Sequence, residues 1–213
     1  MEITWYGHSC FRITERNMAT VVTDPYDHNE VGYAELKLKA DIVTVSHDAP
    51  GHNHLAGVKG ADWQITGPGE YEIGGVFLTG VPTGKSEKKN GAANLICLLD
   101  YNGINVVHLG DMRTVPTRSQ IEALGSVDVL LVPVGGGNGL NAAKAAEVIS
   151  MLEPGIVIPM HYSTPASKLK LNSIDQFLKE MGLGKNVETL DSLKIAQGGL
   201  PEETRVVLLA YEH

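Results

Sequence analysis

Three histidines fall in one short loop of the sequence, which makes this loop the first candidate for a reactive site. Residues 41–57 have the sequence DIVTVSHDAPGHNHLAG and contain His47, His52 and His54. The segment begins with apolar, β-branched residues, which predict a buried strand, and a Pro-Gly pair then breaks it into a loop. A single loop histidine would be an ordinary surface residue, but a cluster that follows a rigid strand predicts a metal site.

Further side chains of the ligand type follow other apolar runs. Asp24 ends one run, Asp111 follows the run at 104–109, and His161 follows the run at 156–160. Loops that carry functional residues gather at strand ends in layered α/β proteins. Imidazole and carboxylate ligands suit Zn²⁺, Mn²⁺ or Fe²⁺ at a catalytic site. Such a site would polarise a carbonyl or phosphoryl oxygen and lower the pKa of a bound water towards about 7.

Other histidines and their serine neighbours have different explanations. His8 lies in a predicted turn, and we expect it to hold this turn by hydrogen bonds rather than to bind a metal. His108 fits the alternation of a strand, which predicts a buried supporting residue. Ser9 and Ser46 each neighbour a histidine, so a serine nucleophile is an alternative. The chain has no GxSxG nucleophile elbow, which disfavours that alternative.

A glycine-rich segment at 135–139 follows a predicted strand and precedes a predicted helix. It does not match GxGxxG, because Leu140 takes the place of the last glycine, and it lacks the Lys-Ser/Thr pair of a P-loop. We predict a tight turn at the rim of the site, where backbone N–H groups would be available to an anionic substrate.

Hydrophobic patterning predicts many short strands and few helices. The predicted strands are 2–6, 11–13, 20–23, 42–45, 63–66, 70–73, 76–79, 95–100, 104–109, 127–134, 156–160, 194–196 and 206–210. The predicted helices are 34–38, a segment capped by Thr117, 142–152 behind an Asn141 cap, and 171–181. Asn102-Gly103 predicts a hairpin turn, and 83–94 is predicted to be a mobile loop. This order predicts two sheets packed face to face with helices outside them.

The composition indicates a globular protein with one domain over residues 1–213. The formal net charge of −8 argues against nucleic acid as a partner, because phosphate binding favours a basic surface. No apolar run approaches the ~20 residues that cross a bilayer, and the first residues do not resemble a signal peptide. Cys10 and Cys97 provide no disulfide framework. We therefore expect no membrane partner and a cytoplasmic location.

The motifs also resemble those of a known family. In order they are WYGHSCFRI, VTVSH followed four residues later by His52, GPGEYEIGGVFLTGVP, VVHLGD, LLVPVGG and IVIPMHY. Together they resemble the metallo-β-lactamase superfamily, in particular its small metal-dependent hydrolases similar to L-ascorbate-6-phosphate lactonase. The resemblance covers nearly the whole chain. It implies the α+β fold class, as a four-layer αββα sandwich, and a metal-dependent hydrolase.

The sequence departs from the superfamily's ligand pattern. The superfamily has HxHxDH in this loop, and here Ala49 replaces the second histidine and Gly51 replaces the aspartate. The superfamily's third histidine would lie near 83–86, where this chain has TGKS. The resemblance therefore implies a degenerate set of metal ligands, namely His47, His52, Asp111 and His161. It also assigns Asp111 and His161 to catalysis.

The reduced set implies one metal ion rather than two. His52, Asp111 and His161 match ligands of the superfamily's second metal, whereas His47 alone remains from the first. We predict that the metal is zinc, with Mn²⁺ or Fe²⁺ as alternatives. A metal-bound water would attack an ester, lactone or phosphoester of a small molecule, and an anionic substrate is one option. Whether Asp48 or His54 acts as a replacement ligand stays open. The alternative is a catalytically inactive member of the fold that acts as a binding or structural protein, because the lost aspartate also accepts protons in the superfamily.

Overall fold

The computed structural model describes residues 1–83, 94–184, 187–196 and 198–211, so the predicted mobile loop lies almost wholly outside the described residues. The strands are β1 (Glu2–Gly7), β2 (Cys10–Thr14), β3 (Val21–Thr23), β4 (Leu38–Lys39), β5 (Ile42–Thr44), β6 (Val58–Lys59), β7 (Trp63–Ile65), β8 (Gly69–Ile73), β9 (Val76–Pro82), β10 (Leu95–Tyr101), β11 (Ile104–His108), β12 (Val129–Pro133), β13 (Ile156–Met160), β14 (Thr189–Leu190), β15 (Ser192–Lys194), β16 (Arg205–Val206) and β17 (Leu208–Leu209). The helices are α1 (His28–Val31), α2 (Arg118–Leu124), α3 (Ala142–Leu152), α4 (Ile174–Glu180) and a 3₁₀ turn at Leu55–Gly57. Among these described helices, none has the length and apolar character to cross a membrane.

Two large sheets form the centre of the fold. The first has the strand order β15-β1-β2-β3-β5-β7, and the second has the order β16-β13-β12-β11-β10-β9-β8. One cluster of buried apolar side chains includes residues of both sheets and fills the space between them. Helices α2 and α3 pack on β9 and β12, and α4 packs on α3, while the segment around α1 covers the first sheet. This is the α+β, four-layer αββα sandwich that the sequence predicted.

The central strands β3 and β5 of the first sheet are buried on both faces because their side chains alternate between two clusters. Val21 of β3 and Ile42 of β5 belong to the core between the sheets. Their neighbours Val22 and Val43 belong to a second cluster on the opposite face. Successive side chains of a strand point to opposite faces, so short β-branched runs can contribute to both clusters at once. The resulting burial fixes where β3 and β5 end.

Local sequence signals of turns and caps are confirmed. Asn102 and Gly103 have φ values of 54° and 82°, as the type I′ turn of a β10–β11 hairpin requires. Thr117 and Gln120 form a reciprocal capping box at the start of α2. The Asn141 side chain accepts a hydrogen bond from the Lys144 N–H at the start of α3. Each of these signals acts over a few residues and needs no tertiary contact.

The helix predicted at 34–38 is wrong. A helix forms instead at His28–Val31, where the Asp27 side chain caps the Asn29 N–H and Gly32 ends the helix in the left-handed region. The residues at 34–37 are irregular and lead into β4, and Leu36 packs in the second cluster. Helix α4 is also shorter than predicted, because it begins behind Ser173. Packing against the first sheet decided the conformation of this segment.

Strand direction brings many strand ends to the same side of the sandwich. β1 and β3 both run antiparallel to β2, and β5 runs parallel to β3. In the second sheet β11, β12 and β13 are parallel to one another. The carboxyl ends of parallel strands lie at one edge of a sheet, so the loops that follow these strands converge. All of the ligand-type residues predicted from the sequence lie in these loops.

We expect Tyr101→Phe to lower the free energy of unfolding by about 1–2 kcal/mol, because it removes a buried hydrogen bond between layers of the sandwich. The Tyr101 hydroxyl lies 3.0 Å from the carbonyl oxygen of Ala19, and the side chain is fully buried. Urea unfolding measures the change. Tyr71→Phe is the matched control, because the Tyr71 hydroxyl makes only a long, partly exposed contact of 3.4 Å. Equal losses in the two variants would contradict this account.

Candidate metal centre

Three buried imidazoles meet at the convergence of the strand ends. His8 follows β1, His52 lies in the loop after β5, and His161 follows β13. One ring nitrogen of each lies within 4.8 Å of one ring nitrogen of both others. His8 Nε2 is 3.2 Å from His52 Nε2, and the ring centroids of His8 and His161 are 4.3 Å apart. The group is compact enough for all three side chains to hold one metal ion.

A buried carboxylate orients one of these imidazoles. Asp24 is fully buried, and its Oδ2 lies 2.7 Å from His52 Nδ1. Ser46 adds hydrogen bonds of 2.6 Å to Asp24 from its backbone N–H and its hydroxyl. Burial raises the pKa of Asp24, but attraction to His52 and His108, with hydrogen bonds from His52 and Ser46, outweighs burial and lowers the pKa to about 2. The ionised carboxylate accepts a hydrogen bond from His52 Nδ1–H, and in this tautomer the Nε2 lone pair is directed into the site.

Burial disfavours the charged forms of His8, His47 and His161. Burial, with smaller effects of His52 and His47, lowers the pKa of His161 to about 3. Burial, with repulsion by His161 and its neighbours, also holds the pKa of His8 well below the ordinary value. Burial lowers the pKa of His47 to about 4. A neutral imidazole has one nitrogen lone pair, which is the form that coordinates a metal.

Asp111 adds a carboxylate beside the imidazoles. Its Oδ1 lies 3.9 Å from His161 Nε2, and within the described ranges this buried oxygen has no hydrogen-bond partner. Burial raises the pKa of Asp111 to about 6, against the opposing effects of His52 and Arg113. The Asp111 backbone N–H donates to Asn94 Oδ1 at 2.8 Å, which fixes the loop after β11.

The donor set fits zinc. It combines buried imidazoles, a carboxylate oxygen that lacks a partner among the described residues, and a histidine held by a second carboxylate. Zinc sites of catalytic type use nitrogen and oxygen ligands of this kind, and their histidines commonly donate the other ring N–H to a carboxylate.

The site is built on unusual backbone conformations. Among the described residues, six that are not glycine have positive φ, and three of them lie here: His8 at 51°, Asp24 at 40° and His161 at 53°. Conformations of this kind cost of order 1–3 kcal/mol each and persist where the surroundings hold them in place. Their concentration at one place indicates that the backbone is set by the requirements of the site.

The imidazoles open into a cleft of about 480 Å³. Gly137 and Asn138 form part of its rim, so the predicted strand-to-helix turn lies where the sequence placed it. Arg113 and Lys170 also line the cleft, and the side chain of Arg113 is 53% exposed with Nη2 3.9 Å from Asp111 Oδ2. Acidic side chains line it too, namely Glu30 and Asp48. A small polar molecule would fit between these groups.

Gly139 lets the rim approach the carboxylate. A Cβ atom at Gly139 would lie 2.4 Å from Asp111 Oδ1, which is closer than real Cβ contacts occur. The absence of a side chain is therefore required for the observed position of Asp111. The glycine-rich segment thus serves the packing of the site rather than nucleotide binding.

The structure brings three of the residues predicted from the sequence together and places the other candidates around them. His52, Asp111 and His161 converge. The His47 ring centroid lies 4.2 Å from that of His52, but the described three-histidine group does not include His47. The backbone N–H of His54 donates to the Pro25 carbonyl. Asp48 lines the cleft and accepts a hydrogen bond from the Asn53 side chain.

The sequence reasoning missed two contributions. It assigned His8 to holding a turn, and the His8 carbonyl does accept hydrogen bonds from Trp5 and His161. It did not place the His8 imidazole against His52, and it did not connect Asp24 with His52. The common signal was position: both residues directly follow strands whose carboxyl ends lie at the edge that carries the site. The expectation for His108 is confirmed, because its buried ring contacts the Ser9 carbonyl at 2.9 Å and accepts from the Gly110 N–H. The Ser46 hydroxyl donates a hydrogen bond to the Asp24 carboxylate.

Comparisons with known proteins identify relatives over most of the chain. A family model described as a beta-lactamase superfamily domain matches residues 2–161. A solved structure from Thermotoga maritima, a proposed Zn-dependent hydrolase of the metallo-beta-lactamase superfamily, is 36% identical, with a TM-score of 0.78 over 98% of this chain and 97% of that one. A UPF0173 protein of Pyrococcus furiosus is 29% identical over 77% of this chain and 84% of its own length. A UPF0173 metal-dependent hydrolase of Methanocaldococcus jannaschii is 25% identical over 85% and 94%.

We expect Asp24→Asn to lower the free energy of unfolding by about 1.5–3 kcal/mol, because hydrogen bonds to a buried charged group are lost. It should also weaken zinc binding about 10- to 100-fold, because His52 would no longer be held in one tautomer. Chemical unfolding and competition with a chromophoric chelator measure the two effects. Asp62→Asn, at an exposed position, is the control. Unchanged zinc affinity in Asp24→Asn would show that the carboxylate does not orient a ligand.

Proposed function

The chain belongs to the metallo-β-lactamase superfamily, and from this we propose that it is a hydrolase with a reduced site that binds one zinc ion. The observation that carries the proposal is the compact group of buried histidines beside the Asp111 carboxylate. Relatives described as metal-dependent or Zn-dependent hydrolases support it. His52, His161 and Asp111 are the proposed ligands, and three protein ligands leave room for a water.

One ion is proposed because the loop lacks ligands for a second. Ala49 and Gly51 line the cleft where the superfamily carries a histidine and an aspartate. His47 faces His52 without joining the three-histidine group among the described residues. A second ion would have to be held with fewer protein ligands than zinc usually takes. Manganese and iron have similar ligand preferences and are alternatives for the single position.

In this proposal the chain's own residues position the reaction. Zinc, when bound, supplies a Lewis acid and a water of lowered pKa. Asp24 holds His52 in one tautomer, and Asn94 holds the backbone of Asp111. Burial of the imidazoles excludes bulk water from one side of the site, which strengthens electrostatic interactions inside it.

The proposed substrate is a small anionic molecule with an ester, lactone or phosphoester bond. Arg113 and Lys170 can contact its negative group at the cleft, and Gly137 and Asn138 add backbone N–H groups at the rim. Phosphorylated lactones combine these features, in keeping with the resemblance to L-ascorbate-6-phosphate lactonase. The reaction is placed in the cytoplasm, where Cys10 and Cys97, both buried and free, would remain reduced.

A second candidate is a binding protein of the same fold without catalysis. Gly51 favours it, because the superfamily's aspartate at this position also accepts protons, and a glycine cannot do so. In that case the cleft would hold a small anionic ligand without turnover. Metal content and activity separate the two candidates.

We expect the purified protein to contain about one equivalent of zinc per chain, and His161→Ala to lose it, because that change removes a buried ligand. Inductively coupled plasma mass spectrometry measures the metal content. His54→Ala is the control, since the described three-histidine group excludes His54. Protein that stays metal-free with excess zinc would reject the enzyme and favour the binding protein, and two equivalents would reject the reduced site.

We expect Lys170→Ala to raise the KM for anionic phosphoesters and lactones about 5- to 10-fold with little change in kcat, because it removes a charge at the exposed mouth of the cleft. Steady-state kinetics on an anionic substrate and a neutral ester measure the effect, and the neutral ester should respond little. Lys179→Ala, on the exposed side of α4, is the matched control. Equal effects on both substrates would argue against recognition of an anion.

A further inference from the structure

We infer that His8 is a fourth protein ligand of this metal centre, beside which a bound water would be a fifth ligand, and that its ring takes the space that a side chain at position 51 would otherwise fill. The inference rests on the proposed function, because it adds a ligand to the same site. Neither the sequence pattern nor the superfamily resemblance assigned His8 to a metal. The three-histidine group, the space beside Gly51 and the backbone around His8 carry it.

The distance between two ring nitrogens is the first argument. His8 Nε2 and His52 Nε2 are 3.2 Å apart. Two nitrogens bound to one tetrahedral zinc at 2.0–2.1 Å are separated by about 3.3 Å. Because Asp24 accepts a hydrogen bond from His52 Nδ1–H, the His52 Nε2 that faces His8 carries the lone pair in this tautomer. The arrangement is therefore the one that two ligands of one ion require.

The space beside Gly51 is the second argument. A Cβ atom at Gly51 would lie 2.9 Å from His8 Nε2 and 3.4 Å from His8 Cδ2. Real Cβ atoms essentially never come this close to another heavy atom. The His8 ring in its observed position and a side chain at position 51 would thus compete for the same space. Where the superfamily has a loop aspartate, this chain has the His8 imidazole, which comes from the turn between β1 and β2.

The backbone of His8 is the third argument, because it is tied to another ligand. The His8 carbonyl accepts hydrogen bonds from the His161 N–H at 3.0 Å and from Trp5 Nε1 at 3.2 Å. His8 itself has a φ of 51°. A turn that needed only local hydrogen bonds could place a glycine or asparagine here without this strain. The strained backbone at His8 therefore serves to place the imidazole in the site.

The first test compares zinc and cobalt binding in the wild type, His8→Asn and His28→Asn. Asparagine tolerates positive φ, so His8→Asn should retain the turn. We expect zinc to bind His8→Asn at least about 100-fold more weakly, and its Co²⁺ complex to show altered visible bands, because loss of a direct ligand should exceed the effect of losing an outer-shell partner. His28, with a side chain 41% exposed, should give wild-type values. Affinity within about threefold of wild type and an unchanged spectrum in His8→Asn would overturn the inference.

The second test exchanges the two positions. Gly51→Asp alone should weaken zinc binding, because the new side chain collides with His8. In a His8→Gly background the same change should strengthen zinc binding at least about tenfold over His8→Gly alone, because a carboxylate can then enter the vacated position. A Gly51→Asp effect of the same sign in both backgrounds would overturn the shared position.

The third test uses only the wild-type protein, so it does not depend on the folding of a variant. X-ray absorption of the zinc-loaded protein counts imidazole ligands through their multiple scattering. Three imidazoles, from His8, His52 and His161, are expected. Two would overturn the inference while leaving the proposed zinc site intact. A wild-type protein that binds neither zinc nor cobalt would instead overturn the proposed function, and the inference with it.

Discussion

The buried carboxylate of Asp24 is the interaction on which the arrangement of the site depends. Removing an ionised carboxylate from water costs several kcal/mol unless charged or hydrogen-bonded partners compensate it. Here Ser46 supplies two short hydrogen bonds and His52 a third. These partners belong to the end of β5 and to the loop that follows, so compensation of one charge joins two strand ends and fixes one imidazole. The loop therefore has little freedom to place His52 elsewhere.

The parallel strands extend this constraint to the rest of the centre. β1, β3 and β5 point their carboxyl ends to one side, and β11 and β13 do the same in the second sheet. The His161 N–H donates to the His8 carbonyl, so a hydrogen bond between the sheets joins the two strand ends directly. Side chains from strands on rigid sheets vary little in position, which is what a metal centre requires of its ligands. The scaffold, rather than the loop alone, determines the geometry.

The sequence predicted those parts of the fold that depend on short-range signals. The Asn102-Gly103 turn and the Thr117 cap follow from neighbouring residues, and strand positions follow from runs of β-branched residues. The segment at 34–38 was misjudged because Leu36 and its neighbours pack on the first sheet in an irregular conformation, and no local pattern encodes that surface. The place of His8 was missed for a related reason: it contacts His52 across 44 positions of sequence. Only the topology of the sheet reveals that the turn after β1 and the loop after β5 share an edge.

Strained backbone at this edge indicates where the fold has been shaped by something other than stability. Each of His8, Asp24 and His161 could relax if its side chain were not needed where it lies, because a residue with positive φ costs free energy that a glycine would avoid. The cores on both faces of the first sheet are well filled, so the sheets can hold these conformations without losing their own packing. Three of the six described residues that have positive φ and are not glycine lie at this edge, so the backbone at these strand ends is tied to the positions of the side chains that it carries.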